Sequence, residues 1–392
     1  MISTLPQQQS LSACTREMVR AAAATLPEPG QYHSASLSNG AAAYALFFSE
    51  AAAYLDESSF MTKAVEHLRW GLDGSDDTPS SISLYRSIPG LGWALQHVAR
   101  QTTIDGADDV LRDIDEMLIA AVKAAPRNMK IDVVDGAAGL LVYALSRASV
   151  GLIGALSHWC VDRFGYWSER PCVEMLDPSE ADSNLGVAHG IPGLLSALAA
   201  CAARGMLPDR GIELLGHGID YLAHFAVETP SGSMYFPTHQ HEVQPARLAW
   251  CYGALGIAYT FIRAAPFAPG HAAAVDRIVA FALDQFDRKD AVLSDACLCH
   301  GHSGAALILH RLAHESCIDS DLRARCAELS RDAAQRTVAQ CRQEDGQFAF
   351  RHLQRGVWRH TTSLLEGTVG VCVGLMALET DRRPALADLL LL

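Results

Sequence analysis

Cysteine and histidine crowd the start of one apolar segment of this chain. Residues 296–307 read ACLCHGHSGAAL, which places Cys297, Cys299, His300 and His302 at or just before a run of small and apolar residues. Thiolate and imidazole are ligands that zinc prefers in proteins. A cysteine before a helix is more often a small buried apolar residue, so this stretch alone leaves metal binding and simple packing as alternatives.

A signature of small residues, G-x-x-G followed by an apolar run, occurs seven times along the chain. The copies, aligned on the first small residue, lie at Gly40, Ser87, Gly136, Gly190, Gly253, Gly301 and Gly367. Successive copies are 47, 49, 54, 63, 48 and 66 residues apart, which leaves room for two helices and their loops. Two copies depart from the signature, since Ser87 replaces a first glycine and Ala43 replaces a second one.

The runs after the signatures are apolar throughout, whereas the segments between them are amphipathic. DDVLRDIDEMLIAAVKAA and AAVDRIVAFALDQFDRK, for example, repeat their apolar residues at three- and four-residue spacing. We therefore predict an all-α protein, an α/α toroid with seven inner and seven outer helices, as one domain over residues 1–392. Stretches 165–186 and 228–249 are too short for an inserted domain and are expected to be loops.

Parallel inner helices in a closed ring place their N-termini around a common mouth. The residue before each signature is polar or ionisable in every copy: Asn39, Arg86, Asp135, His189, Tyr252, His300 and Glu366. One position earlier, Cys251 and Cys299 occur in consecutive copies. Cys251, Cys299 and His300 are therefore predicted to meet as three zinc ligands with a fourth position open. Cys297, outside this register, and His302, inside the signature, are rival ligands that we rank lower.

Composition argues against several classes of partner. Lysine and arginine number 31 against 44 acidic residues, a net charge of −13 without a basic run, which disfavours nucleic acid and anionic membranes. Neither a signal peptide nor an apolar stretch of about 18 residues is evident, so membrane insertion is not expected. The 11 cysteines are scattered rather than densely spaced. We expect a cytoplasmic protein with reduced thiols.

Three motifs carry a resemblance to a known family. WCYGALG at 250–256, LCHGHSG at 298–304 and AHGIPG at 188–193 make the chain similar, over nearly its whole length, to the lanthionine synthetase C-like proteins. The resemblance implies an α,α-toroid and one zinc ion per chain on Cys251, Cys299 and His300, the residues that the register selects. By motif it also implies four further site residues: Asp132, His189, Arg247 and Tyr252.

What the resemblance implies is cyclisation of a dehydrated precursor peptide, with a dehydratase as a further candidate partner. A substrate cysteine adds to dehydroalanine or dehydrobutyrine and forms a thioether ring. The enolate must then be protonated, and His189 or Tyr252 can do this. Asp132 can orient His189 or take up the thiol proton, and Arg247 can stabilise the enolate oxygen or hold a substrate carboxylate or carbonyl.

Other interpretations stay open from the sequence. A zinc-containing scaffold that binds glutathione would use the same ligands without cyclising a peptide. A prenyltransferase or glycosidase barrel is less consistent, because such barrels typically have six hairpins and a glycosidase needs paired carboxylates. Tyr235, His239 and His241 lie outside the register and are expected in a wall or lid of the mouth.

Overall fold

An inner ring of seven helices forms the centre of the molecule. The computed structural model describes residues 10–73, 82–165, 184–288, 293–344, 347–354, 356–380 and 384–392. The inner helices are α2 (Ala41–Leu55), α4 (Ile88–Ala99), α6 (Ala137–Arg147), α8 (Ile191–Ala203), α10 (Ala254–Ala264), α12 (His302–Leu312) and α14 (Thr368–Leu378). Each packs against the next, and α14 packs against α2, which closes the ring. The predicted toroid with seven inner helices is confirmed.

Amphipathic helices form the outer ring. They are α1 (Leu11–Thr25), α3 (Ser58–Asp73), α5 (Ala107–Lys123), α7 (Val150–Phe164), α9 (Asp209–Ala223), α11 (Ala274–Asp287) and α13 (Ser320–Ala339). Six of them follow an inner helix in the chain, whereas α1 precedes the first and packs against α13 and α14. The first helix of the chain thus supplies the outer partner of the last inner helix.

Among the described residues, three short antiparallel hairpins supplement the helices. They pair β1 (Val227–Glu228) with β2 (Met234–Tyr235), β3 (Arg342–Glu344) with β4 (Gln347–Ala349), and β5 (Arg351–Gln354) with β6 (Val357–His360). The stretch 228–249, expected as a loop, is irregular apart from hairpin β1–β2. Most of the other expected loop, residues 166–183, lies outside the described residues. In the described part of the chain, no helix has the length and apolar character needed to cross a bilayer.

The glycines of the signature make room for backbone carbonyls. A Cβ atom on the second glycine would lie 2.1 Å from Leu84 O at Gly90, 1.9 Å from Leu298 O at Gly304 and 1.6 Å from Leu364 O at Gly370. Side chains at these positions would therefore push away the loop that leads into each inner helix. The signature recurs because each loop folds back over the start of its own helix.

The last residues of the described chain fill the ring beneath the mouth. After α15 (Ala385–Leu389), Leu390, Leu391 and Leu392 are at most 2% exposed. Their carbonyls need donors, because a buried carbonyl without a hydrogen bond is costly. The Trp250 indole N–H donates to Leu390 O at 2.8 Å, and the Tyr85 hydroxyl donates to Leu389 O at 3.2 Å. This segment therefore supports the residue that precedes Cys251.

Candidate functional site

A closed belt of backbone hydrogen bonds joins the seven segments that lead into the inner helices. Each segment donates a backbone N–H to a carbonyl oxygen of the next segment. The donors and acceptors are Ser38 N–H and Tyr85 O (2.7 Å), Tyr85 N–H and Val134 O (3.3 Å), Val133 N–H and Ala188 O (3.1 Å), Ala188 N–H and Cys251 O (3.3 Å), Cys251 N–H and Cys299 O (3.4 Å), Cys299 N–H and Leu365 O (2.8 Å), and Leu364 N–H and Ser38 O (2.7 Å). Equivalent positions of consecutive repeats are thus bonded neighbours. Cys251 and Cys299 meet in space for this reason, although 48 residues separate them in the chain.

The belt gathers three side chains that could hold a metal, Cys251, Cys299 and His300, which together are called the metal-binding group. The sulfur atoms of Cys251 and Cys299 and a ring nitrogen of His300 lie within 4.8 Å of one another. Cys251 is buried, whereas Cys299 and His300 are partly exposed, so the group can be reached from solvent. These are the ligands that the register and the resemblance select, and their binding of a metal stays a prediction.

A hydrogen bond between the two sulfur atoms shifts the pKa values of Cys251 and Cys299 in opposite directions. The Cys299 thiol donates a hydrogen bond to the Cys251 sulfur, which holds the pKa of Cys251 well below its ordinary value in spite of burial. The same hydrogen bond, together with burial, raises the pKa of Cys299. Burial disfavours the charged form of His300, but the Cys251 thiolate outweighs it and raises the pKa of the imidazole. Of the two cysteines, Cys251 is therefore the one whose thiolate, the form that binds metal, is favoured.

The rival ligands Cys297 and His302 are engaged in the loop itself. Cys297, Asp295 and His300 also have ligand atoms within 4.8 Å of one another. However, the Cys297 sulfur accepts the His300 backbone N–H at 3.4 Å, and burial raises its pKa well above the ordinary value. His302 Nδ1 lies 2.9 Å from the Asp295 carbonyl oxygen. Of the described groups, Cys251, Cys299 and His300 are better suited to a metal.

Cys297 belongs to a second register that our sequence analysis missed. In five repeats, the residue four positions before the first small residue uses its side chain to accept a backbone N–H. The donor is the N–H of the residue three positions further along the chain. The accepting residues are Ser36 (3.3 Å), Ser83 (3.1 Å), Asp132 (2.6 Å), Cys297 (3.4 Å) and Ser363 (3.3 Å). The recurrence of serine and aspartate at this position was the signal that could have found it. Such side chains typically cap turns in this way.

Asp132 therefore has a structural contact as well as a predicted role in the site. Its Oδ1 atom caps the Asp135 N–H, and the side chain is 6% exposed. Burial raises the pKa of Asp132, while the nearby His189 acts in the opposite direction. Asp132 thus combines a cap with an electrostatic interaction with His189.

The other three predicted residues lie at the same end of the ring as the metal-binding group. His189 is exposed, and its ring centre lies 6.3 Å from that of Tyr252. Burial raises the pKa of Tyr252, so its phenol stays protonated near neutral pH. Arg247 is exposed, and its positive charge helps to lower the pKa of Cys251. All four predicted residues are thus linked by contacts or electrostatic interactions to the same end of the ring.

Asn184 contacts the site and was not predicted. Its Nδ2 atom donates to the Tyr252 hydroxyl at 2.9 Å, and its backbone forms an antiparallel bridge with His239. The loop that contains His239 and His241 therefore lies beside Tyr252, in keeping with the expected wall of the mouth. Neither histidine belongs to a metal-binding group of the described residues.

Several side chains on the rim of the mouth pair with one another. Arg86 lies 3.1 Å from the Asp135 carboxylate, and Lys130 lies 3.0 Å from it. Glu366 lies 3.6 Å from His352 of strand β5. Asn39 has its backbone N–H capped by Ser36. The Arg86–Asp135 pair joins neighbouring repeats, whereas the other contacts lie within one repeat.

The side chains present fit a catalytic zinc ion. Two sulfurs and one imidazole nitrogen are a known ligand set for such sites, in which three protein ligands leave one position open. The lowered pKa of Cys251 and the proximity of the three ligand atoms also fit this ion. Cys251, Cys299 and His300 therefore form a ligand set that suits zinc.

Comparisons with known proteins agree with the fold. The family model described as "Lanthionine synthetase C-like protein" matches residues 31–391. Nineteen chains of solved structures match the chain. One of them, a nisin cyclase, has a TM-score of 0.66 at 16% identity, with 97% of this chain and 96% of that chain covered. No curated protein matches the sequence. The structural likeness shows the helical toroid.

Proposed function

Because the chain belongs to the lanthionine synthetase C-like family, we propose that it is a lanthionine synthetase, a zinc-dependent lanthipeptide cyclase. Its substrate is a dehydrated precursor peptide, and its products contain lanthionine or methyllanthionine. The observation that carries the proposal is the group formed by Cys251, Cys299 and His300, whose ligand atoms lie within 4.8 Å of one another. The likeness to a protein named nisin cyclase supports a peptide substrate.

In this proposal Cys251, Cys299 and His300 hold one zinc ion per chain. When bound, zinc supplies a Lewis acid that lowers the pKa of a substrate thiol, ordinarily about 8.5, and it keeps a fourth position open. The partly exposed Cys299 and His300 leave that position accessible to a peptide. The Arg247 side chain adds positive charge that favours a second thiolate nearby.

The proposed reaction joins two parts of the peptide without a leaving group. The cysteine thiol loses its proton, and its sulfur forms a bond to the β-carbon of the dehydroalanine or dehydrobutyrine. The electron pair of the carbon–carbon double bond moves to the α-carbon and its carbonyl, giving an enolate. Protonation of the α-carbon completes the thioether. Because one proton leaves and one is added, the mass of the peptide does not change.

His189 is our proposed proton donor to the α-carbon. It is exposed at the mouth, whereas burial raises the pKa of the Tyr252 hydroxyl and makes it a weaker acid. Asp132, whose carboxylate interacts electrostatically with His189, orients the His189 ring. Arg247 stabilises the negative charge that develops on the enolate oxygen. A positioned acid of this kind typically contributes about 10²–10⁴-fold to the rate.

The proposal places the protein in the cytoplasm, where thiols stay reduced and a precursor peptide is made. All ten described cysteines are free thiols. A lanthipeptide pathway also requires a dehydratase, which we propose as a partner that delivers the modified peptide. Such pathways commonly serve antibiotic biosynthesis, and we include that role in the proposal.

The test is a cyclisation assay with a synthetic peptide that contains one dehydroalanine and one cysteine. Ring closure leaves the mass unchanged, so remaining thiols are counted by alkylation with N-ethylmaleimide before mass spectrometry. After incubation with zinc-loaded protein, we expect the peptide to carry no thiol, so that the alkylated species is absent from the mass spectrum. Protein treated with a chelator, and the Cys299→Ala variant, should leave it in place.

Two outcomes would contradict the proposal. In the first, zinc-loaded wild-type protein closes the ring no faster than buffer. In the second, the protein joins glutathione to the dehydroalanine of a cysteine-free peptide but leaves the intramolecular ring unformed. That result would favour the glutathione-binding scaffold.

A further inference from the structure

One capping residue beside the metal-binding group carries a charge that capping does not need. In four repeats, the residue six positions before the first small residue uses its side chain to accept the backbone N–H of the residue two positions further along the chain. These capping residues are Ser34 (3.1 Å), Asn184 (2.8 Å), Asp295 (3.0 Å) and Thr361 (3.2 Å). Neutral oxygens therefore suffice for this cap. Asp295 is 1% exposed, and burial of a carboxylate is costly unless its oxygens have partners.

The second oxygen of Asp295 faces two other groups. Oδ2 accepts the Leu353 backbone N–H of strand β5 at 2.9 Å, and it lies 3.7 Å from Nε2 of His300. The same imidazole interacts with the Cys251 sulfur. His300 therefore has a carboxylate beside Nε2, while its ring also reaches the metal-binding group.

We propose that Asp295 is a positioning residue of the metal centre, which accepts a hydrogen bond from Nε2–H of His300 and so directs Nδ1 to the metal. The inference rests on the proposed zinc site. Histidine ligands almost always donate their second N–H to a carboxylate, carbonyl or water, which fixes the tautomer and the ring orientation. A small rotation of the imidazole shortens the distance of 3.7 Å to that of a hydrogen bond.

Hairpin β5–β6 holds this carboxylate in place from the other side. The Leu353 N–H fixes Oδ2, while the Cys297 N–H fixes Oδ1. The carboxylate is thus restrained at both oxygens before any metal binds. A restrained partner lowers the entropy lost when His300 takes up the orientation that a ligand needs.

The decisive variant is Asp295→Asn, because Asn184 shows that an asparagine can form the cap. We expect its zinc dissociation constant, measured by competition with a chromophoric chelator, to rise about 10- to 100-fold. The matched control is Thr361→Val, which removes a cap of the same register in a repeat without a metal ligand. The control should lower thermal stability and leave zinc affinity unchanged.

A second readout follows the tautomer of His300 in zinc-loaded wild-type protein labelled with ¹⁵N-histidine. We expect the proton on Nε2, and a proton on Nδ1 would overturn the proposal whatever the variants do. A dissociation constant of Asp295→Asn within about threefold of wild type would also overturn it. Should that variant fail to fold, Asp295→Ser takes its place, since Ser34 forms the same cap. Absence of zinc from wild-type protein would instead contradict the proposed function.

Discussion

Replacing Gly304 by alanine should disturb both the fold and the metal centre. Gly304 is the second glycine of the repeat that supplies Cys299 and His300. A Cβ atom there would lie 1.9 Å from Leu298 O, and Leu298 directly precedes Cys299. The clash is with backbone, so no side-chain rotation can relieve it.

The size of the effect follows from this distance. Cβ atoms essentially never approach other atoms closer than 3.0 Å, so Leu298 O or the helix must move by about 1.1 Å. Overpacking of this kind costs typically about 1–3 kcal/mol. Because ligand distances in metal sites vary by only about 0.2 Å, even part of this shift passed from Leu298 to Cys299 should weaken zinc binding about tenfold.

Two other alanine variants separate the two effects. In Gly139→Ala the new Cβ lies 2.3 Å from Val133 O, in a repeat without a metal ligand. It should lose comparable stability and keep its zinc affinity. In Gly154→Ala, within outer helix α7, no atom beyond the glycine's own chain neighbours and helix backbone lies within 4 Å of the new Cβ. This variant should gain about 0.5–1 kcal/mol, because alanine favours a helix over glycine.

Denaturant unfolding and chelator competition on the three variants provide the assay. We expect stability to fall for Gly304→Ala and Gly139→Ala and to rise for Gly154→Ala, with zinc affinity reduced only in Gly304→Ala. Wild-type stability of Gly304→Ala would refute the steric account of the signature. Equal zinc loss in Gly139→Ala would refute the link between the Leu298 loop and the metal centre.

Three further variants probe separate parts of the account. Burial lowers the pKa of His67 from 6.5 to about 4. The stability that the neutral imidazole contributes is therefore present above pH ~6.5 and falls by about 3 kcal/mol as the pH drops toward 4. His67→Phe should flatten this pH dependence of the free energy of unfolding, and an unchanged slope in unfolding experiments would contradict the prediction. Trp250→Phe removes the donor to Leu390 O and should lower the free energy of unfolding by about 1–3 kcal/mol, whereas wild-type stability would argue against the terminal segment as a support. His189→Asn should slow cyclisation about 10²–10⁴-fold with zinc content unchanged, and a wild-type rate would remove His189 from the reaction.

The ring and the metal-binding group were accessible from the sequence because the repeat is regular. Aligning the signatures puts Cys251 and Cys299 at one position of consecutive repeats, and the belt of backbone hydrogen bonds makes such positions neighbours. The repeat period therefore predicted which residues are neighbours in the folded protein.

Features outside the repeat could not be predicted in this way. The outer helix α1 lies before the first signature, and residues 390–392 lie after the last, so their packing depends on tertiary contacts alone. The role of Asp295 depends on how its two oxygens are divided between Cys297 and Leu353, which residue type and spacing do not reveal. Asn184 escaped notice for the same reason.

Whether Cys251, Cys299 and His300 hold zinc is measured as the metal content of freshly purified, reduced protein by elemental analysis. The comparison is wild type beside Cys299→Ala and Cys297→Ser, since Ser36, Ser83 and Ser363 show that serine forms the cap that Cys297 makes. The account predicts about one zinc per chain in wild type and in Cys297→Ser, and none in Cys299→Ala. Zinc kept by Cys299→Ala, or no zinc in wild type, would contradict it.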